Sequence, residues 1–346
     1  MRLATPRPAR PQCPSGGRAG TELKILITGG AGFIGSHLAE RLVADGHGVV
    51  VLDNLSTGRL DNLAKIKDCR GFECVIGSVR DAALVHELVQ ACDVTVHLAA
   101  AVGVRLILEK PSLSIHTNVN GTENVLHAAS SRDKLVIIAS TSEVYGKSKN
   151  MPFAEDGDLV LGATANLRWS YACAKALDEC LALAYSQEKK LSAIIVRLFN
   201  TTGPRQTGHY GMVLPGFVNQ ALRSEPITVY GTGQQSRCFA HVADVVESLV
   251  RLMNTESAFG EVFNVGNDQE ISIEGLARKV KDATGSASPI QKLPYKEVYG
   301  VGFEDMERRV PDLTKLARCI GYRPTTPLDR IIADVVAEQR VAHARG

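Results

Sequence analysis

The sequence predicts an α/β chain: a Rossmann-type doubly wound parallel sheet with a smaller, mostly C-terminal substrate-binding domain. Three observations predict it. Short apolar runs alternate with helix-length segments through the first two hundred residues, the pattern of βαβ units whose sheet is covered on both faces. Gly29, Gly32 and Gly35 fall between the first run and the first helical segment. Asp53 closes the second apolar run, eighteen residues past Gly35.

In chain order, "KILIT" reads as a short buried strand, followed by a glycine turn and the helical "GSHLAERLVADG". Then come the strand "GVVVLD", a helix near "ALVHELVQAC" and the strand "VTVHLAA". "TNVNGTENVLHAASS" is helical, "KLVIIAS" a strand, "SYACAKALDECLALAYSQEK" a long helix and "LSAIIVRLFN" another strand. Beyond Asn200 glycine- and proline-rich loops such as "TGPRQTGHYG" loosen the order, and "EVFNVG" reads as a late strand. The expected division is a tail over 1–21, a dinucleotide-binding domain over 22–200 with a late strand from about 240–268, and a mainly substrate-binding portion over 201–342.

Composition narrows the function classes. Of 346 residues 45% are hydrophobic and 22% charged, a balance that suits a soluble globular chain. A net charge of +2 gives no electrostatic case for nucleic acid or an anionic membrane. No apolar run has the length needed to span a bilayer. Eight scattered cysteines without a C-x-x-C pair favour reduced thiols in a cytoplasmic enzyme over a disulfide framework, and no metal site is expected. Residues 1–20 hold four Arg, four Pro and no acid. They lack the apolar core of a secretory signal, and the prolines spoil an amphipathic transit helix, so a disordered tail or over-long gene start is expected.

The glycine turn carries cofactor chemistry. Gly29 and Gly32 let the backbone turn tightly and approach a pyrophosphate, and Gly35 permits close helix–strand packing. The helix start offers unpaired N–H groups to phosphates. Asp53 can bond a ribose 2′-hydroxyl and would repel a 2′-phosphate, so NAD is expected rather than NADP. Tyr171 and Lys175 lie four apart on one helix face. A phenol is too weak an acid to serve as a base near neutrality unless a cation stabilises the phenolate, which Lys175 and the positive nicotinamide would do. Thr141 supplies a hydroxyl to orient a substrate alcohol. His97 reads as a packed residue whose backbone lines the cofactor, and Cys173 as a buried helix thiol.

These motifs resemble the extended short-chain dehydrogenase/reductase family of nucleotide-sugar epimerases, dehydratases and decarboxylases. The resemblance runs over roughly 23–338 and includes "GGAGFIGSHL", "VVVLDN", "HLAA", "NVNGTENVL", "STSEVYG", "YACAK", "RLFNTTGPR" and "FNVGN". It implies NAD contacts from Phe33, Ile34, Asn54, Leu98 and Ala99 beside Gly29, Gly32, Gly35, Asp53, Tyr171 and Lys175. The family's usual acid in "GSVRD" is Ser78 here. The resemblance also implies a UDP-sugar substrate held by Asn200, Arg205, Val213, Tyr230 and Arg237, and a homodimer through helices near 118–130 and 171–188. Tyr230 would line the uracil pocket or pack the core.

Glu143 separates the sugar reactions. All begin with oxidation at C4. A 4-epimerase needs no acid beside Thr141, and a 4,6-dehydratase characteristically has Asp-Glu after the threonine, where this chain has Ser142-Glu143. "TSEVYG", "RWSYACAK" and "FEDMERRVPD" resemble UDP-glucuronate decarboxylases and map Ser142, Glu143 and Arg309 onto functional positions. The expected reaction is decarboxylation of UDP-glucuronate to UDP-xylose or a UDP-4-keto-pentose, with a UDP-sugar 4-epimerase as the alternative and a non-catalytic nucleotide sensor further off. Arg309 would bind the sugar carboxylate or, with a water, protonate C5. Glu143 would disfavour a charged carboxylate in the ground state, or relay a proton if burial raised its pKa.

Overall fold

The computed structural model describes residues 22–131, 134–207, 212–299 and 304–345; the expected tail over 1–21 lies outside them. Six parallel strands, β1 (Lys24–Thr28), β2 (Gly48–Asp53), β3 (Phe72–Ile76), β4 (Val94–His97), β5 (Leu135–Thr141) and β6 (Ser192–Leu198), form the main sheet with the late strand Val262–Val265. Their spatial order is Val262–Val265, β6, β5, β4, β1, β2, β3. The winding reverses between β1 and β4, where Thr28 lies beside His97, and a crevice opens at the carboxyl ends of such strands. All the sequence-expected strands are present. β3 was not anticipated, because its "FECVI" alternates poorly and runs along the sheet edge with Ile76 exposed.

Helices α1 (Phe33–Ala44), α2 (Ala82–Gln90), α3 (Val104–Glu109), α4 (Pro111–Ala129) and α5 (Ser170–Lys189) follow the strands. α1 and the helix Val242–Met253 pack together on one face, over Ile25, Ile27, Val49 and Val51. α2, α4 and α5 cover the other face, over Leu26, Val50, Val136 and Ile138. Residues pointing to both faces are therefore apolar, which is why the strands read as unbroken runs rather than alternations. α4 starts six residues earlier than "TNVNG" suggested, because Pro111 at the first helical turn has no amide to leave unbonded. A third apolar cluster joins the helices Val213–Leu222, Ile273–Thr284 and Leu328–Arg345 with the strand Ile227–Tyr230.

Two expectations about cysteines are corrected. Cys173 is exposed rather than buried, since the helix face that buries Tyr171 and Lys175 turns it outward. Six described cysteines are free as expected, but Cys69 is disulfide-bonded.

Candidate active site

The glycine turn is shaped by close backbone approach. Gly29 has φ +72°, and a Cβ there would lie 2.8 Å from the Ala99 amide nitrogen; one on Gly35 would run into the Gly29 carbonyl oxygen. Any side chain at either position would push the turn off the sheet. Gly32 precedes α1 and makes no side-chain cap, so the first amides of the helix face the cavity uncapped. Asp53 braces this cradle: Oδ2 accepts from the Ala31 amide at 2.9 Å and Oδ1 from the Leu55 amide at 2.8 Å. A carboxylate accepts more than two bonds, so capacity remains for a ribose hydroxyl. The cradle fits a dinucleotide. Asn54, Phe33, Ile34, Leu98 and Ala99 line the same cavity.

His97 is packed, as expected. Its Nδ1 lies 2.7 Å from Thr28 Oγ1 and its Nε2 3.3 Å from Thr122 Oγ1. Burial, with a smaller push from Lys175, holds its pKa down to about 3. The Thr28 hydroxyl also accepts from the Ala99 amide at 3.2 Å, so the cluster fixes the chain where it lines the cofactor site.

The carboxyl end of β5 delivers the reactive residues. Thr141 caps the short 3-10 turn Ser142–Tyr145, its Oγ1 accepting from the Glu143 amide at 3.2 Å. Glu143 then enters a cluster of arginines. Arg168 Nη1 reaches Glu143 Oε2 at 2.5 Å, and Arg309 Nη1 lies 3.7 Å from Oε1 and 3.5 Å from Ser142 Oγ. Arg237 pairs with Asp305 at 2.9 Å; Asp305 also lies 3.9 Å from Arg168 and accepts from the Tyr295 hydroxyl at 3.1 Å. Arg308 turns out to solvent and pairs with Glu270 instead.

Electrostatics correct two expectations. Burial pushes the Glu143 carboxyl up, but Arg168 and Arg309 outweigh it, so its pKa is lowered and the carboxylate is ionised. A proton relay through a raised Glu143 does not fit. Tyr171 is pushed up rather than down, by burial first and then by the Glu143 and Asp178 carboxylates, with Arg168 opposing. Lys175 is committed elsewhere: Nζ donates to Asp178 Oδ2 at 3.0 Å. Arg309 is held down to about 10 by burial and then by Arg237.

Farther along the cavity, Asn200 is anchored through Nδ2 to the Cys238 carbonyl at 3.0 Å, and Val213, Tyr230 and Arg237 line the wall. Arg205 sits differently from expectation. Its guanidinium reaches Glu40 at 2.5 Å and Ser36 at 3.1 Å, both on α1, placing it beside the glycine cradle rather than the sugar end. Every site residue expected from sequence nevertheless lines one cavity of about 1000 Å³. Sequence reasoning missed Arg168, Asp305 and Tyr295. The pattern "RWSYACAK" held the signal for Arg168, three residues before Tyr171, but its partner Glu143 is far away in sequence.

The model of the NAD dependent epimerase/dehydratase family matches residues 25–266. The chain is 43% identical over 314 residues to a UDP-N-acetyl-alpha-D-glucosaminuronate decarboxylase of Bacillus cytotoxicus, covering 90% of this chain and 96% of that protein. It is 37% identical to UDP-glucuronic acid decarboxylase 1 of Xenopus tropicalis, over 88% of this chain and 69% of that one. Among solved structures, UDP-glucose 4-epimerase of Thermotoga maritima superposes with a TM-score of 0.83 at 28% identity, covering 92% of this chain and 99% of that chain. The dTDP-glucose 4,6-dehydratase DesIV of Streptomyces venezuelae, solved with NAD, gives 0.84 at 29%, covering 93% and 98%. The chain therefore belongs to the NAD dependent epimerase/dehydratase family of enzymes, which work on nucleotide sugars with NAD.

Proposed function

We propose that the chain decarboxylates a UDP-hexuronate, UDP-glucuronate in the first reading, giving UDP-xylose or a UDP-4-keto-pentose. One observation carries this: an ionised Glu143 beside Thr141, enclosed by Arg168 and Arg309 with Arg237 close by. Three guanidiniums against Glu143 and Asp305 leave one net positive charge, suited to a substrate that carries a carboxylate as well as a diphosphate. Arg309 Nε is buried without an acceptor among the described residues, a cost that an incoming carboxylate would relieve. A 4-epimerase acting on a neutral UDP-hexose, one form of the alternative, has no use for this cluster, whereas a UDP-hexuronate 4-epimerase would share the arginines but needs no Glu143 beside Thr141. A 4,6-dehydratase would want an acid where Ser142 stands.

Gly29, Gly32, Asp53 and the amides of Phe33 and Ile34 would hold NAD, which when bound would supply a hydride acceptor for C4 and, in its reduced form, a hydride donor. Tyr171 takes the proton of the 4-hydroxyl, which Thr141 orients. Once C4 is a carbonyl, the C6 carboxylate belongs to a β-keto acid and leaves as CO2. Arg309 holds that carboxylate and afterwards, directly or through a water, delivers a proton to C5, where the electron pair of the broken C5–C6 bond is held as the C4 enolate. Glu143, kept anionic by Arg168, crowds the carboxylate with like charge and favours its departure. Asn200, Val213, Tyr230 and Arg237 hold the UDP portion, with Arg205 bracing the cofactor side.

The 43% identical relative supports a second reading, in which the sugar bears a 2-acetamido group. Incubation with UDP-glucuronate and with UDP-N-acetylglucosaminuronate, followed by NMR, decides. CO2 release from either supports the proposal and its origin names the sugar; a 4-epimer without CO2 supports the epimerase; NAD binding without turnover would leave a sensor. Tyr171→Phe should show no NADH absorbance on adding substrate.

We also infer pairing of two copies through α4 and α5. Leu113, Ile115, Leu177 and Leu183 are exposed on these adjoining helices, an apolar area that suits a subunit contact. Sedimentation tests it. Six of the seven described cysteines are free, which suits a reducing, cytoplasmic setting even though Cys69 is disulfide-bonded, and no helix of the described residues is long and apolar enough to cross a membrane. The division at about residue 200 into cofactor and substrate portions is part of the same reading.

A further inference from the structure

Lys175 does not stand alone on its helix face. Asp178, three residues on, takes its Nζ at 3.0 Å, and both side chains are out of solvent. Asp178 is a costly residue at that depth. Burial pushes its carboxyl up, against Lys175 and a hydrogen bond from the Thr122 hydroxyl. Its Oδ1 has no partner at full hydrogen-bond geometry among the described residues, although Thr122 is turned towards the carboxylate. Thr122 in turn meets His97 Nε2 at 3.3 Å, and His97 Nδ1 meets Thr28 at 2.7 Å. A buried polar chain thus runs from β1 through β4 and α4 to the ammonium on α5.

We propose that Asp178 is a positioning residue of the reaction, fixing where the Lys175 ammonium sits and how much of its positive charge reaches the Tyr171 phenol. The inference rests on the reading of Tyr171 as the base. An ammonium has three N–H donors; Asp178 occupies one, which aims the other two away from the core and supplies the counter-charge a buried cation needs. The same carboxylate opposes the cation at Tyr171. Tyr171 feels burial, Glu143 and Asp178 in one direction and Arg168 in the other. Other charged or titratable groups among the described residues are Glu179 on α5, bound to Arg197; His97 on β4, which burial keeps neutral; and Arg309, directed at Glu143. Of these carboxylates Asp178 is the one hydrogen-bonded to Lys175. It makes the phenol a weaker acid than the Tyr-Lys pair alone would, so that the phenolate forms only when the positively charged cofactor arrives.

The test uses the NAD-loaded enzyme, its Asp178→Asn and Asp178→Ala variants, and Tyr171→Phe as the blank. The phenol is titrated by ultraviolet difference absorbance, and kcat is followed against pH with both UDP-hexuronates. Removing a negative charge lowers the pKa of a neighbouring acid. In Asp178→Asn the phenol titration and the acidic limb of kcat should both move down by about one pH unit. Asp178→Ala should show the same shift with about a tenfold further loss of kcat, since the ammonium is no longer aimed. A phenol titration that stays at the wild-type pH in either folded variant overturns the proposal, because loss of packing alone lowers kcat without moving a titration. The phenol titration needs no sugar, so it decides even if neither UDP-hexuronate is turned over, a result that would count against the substrate reading alone.

Discussion

Arg168 Nη1 donates to Glu143 Oε2 at 2.5 Å, joining the turn before α5 to the turn after β5 with both side chains nearly out of solvent. Removing one member of a buried pair strands the other, at about 3–5 kcal/mol. Arg168→Met should therefore lower the melting temperature and cut CO2 release by about a hundredfold, because Glu143 then holds its proton to higher pH. NAD affinity, set at the glycine cradle, should stay within about threefold by calorimetry. CO2 release within about threefold of wild type would remove Arg168 from the site's chemistry.

Glu143→Gln separates charge from shape. The amide can still accept from Arg168, so the fold and NAD binding should persist, while the like charge facing the sugar carboxylate is gone. CO2 release should fall below detection. Full activity in this variant would confine Glu143 to a structural pairing.

Much of this was legible because it is local. The strand–glycine–helix cradle, Asp53, and the Tyr171–Lys175 spacing are set within a few turns of chain, where periodicity and backbone sterics dictate the geometry. Thr141 and Glu143 could be read off the end of one strand. The arginine cluster could not. Arg168 and Arg237 come from two separate segments and Asp305 with Arg309 from a third, and nothing in the sequence around each arginine states which carboxylate it will meet. The same limit explains Arg205, whose motif resemblance suggested the substrate while its positive φ and its bonds to Glu40 and Ser36 turn it to α1. It explains Tyr171 as well. Spacing placed Lys175 on the right face, but the nearer partner on that face is Asp178.

Gly35→Ala tests the cradle. The added methyl would collide with the Gly29 carbonyl oxygen, which cannot move without lifting the turn from Ala99. NAD affinity should fall by at least about a hundredfold, roughly 3 kcal/mol, and more than thermal stability does. Unchanged NAD affinity would show that the turn is not where the pyrophosphate lies.

His97 makes stability depend on pH in a window of its own. Its pKa in the folded chain is held down to about 3 from an ordinary 6.5, by burial between Thr28 and Thr122. The unfolded chain takes up a proton at this residue below pH 6.5 and the folded chain does not, so unfolding binds a proton throughout that interval. The stabilising contribution is complete above pH 6.5 and drains away as the pH falls towards 3, by at most about 1.4 kcal/mol per pH unit. Glu143, whose pKa is also lowered, adds its loss only below the ordinary carboxylate value of 4.5. His37 shares the direction of His97 in the upper interval, so the comparison must be made against a variant. In His97→Gln, which cannot take up a proton in either state, urea unfolding free energies between pH 7 and pH 5 should fall less steeply than in wild type, even if the variant is less stable at pH 7. Equal slopes in the two proteins would mean that His97 carries its proton in the folded chain, and that the link from Thr28 to Thr122 is held by a charged imidazolium.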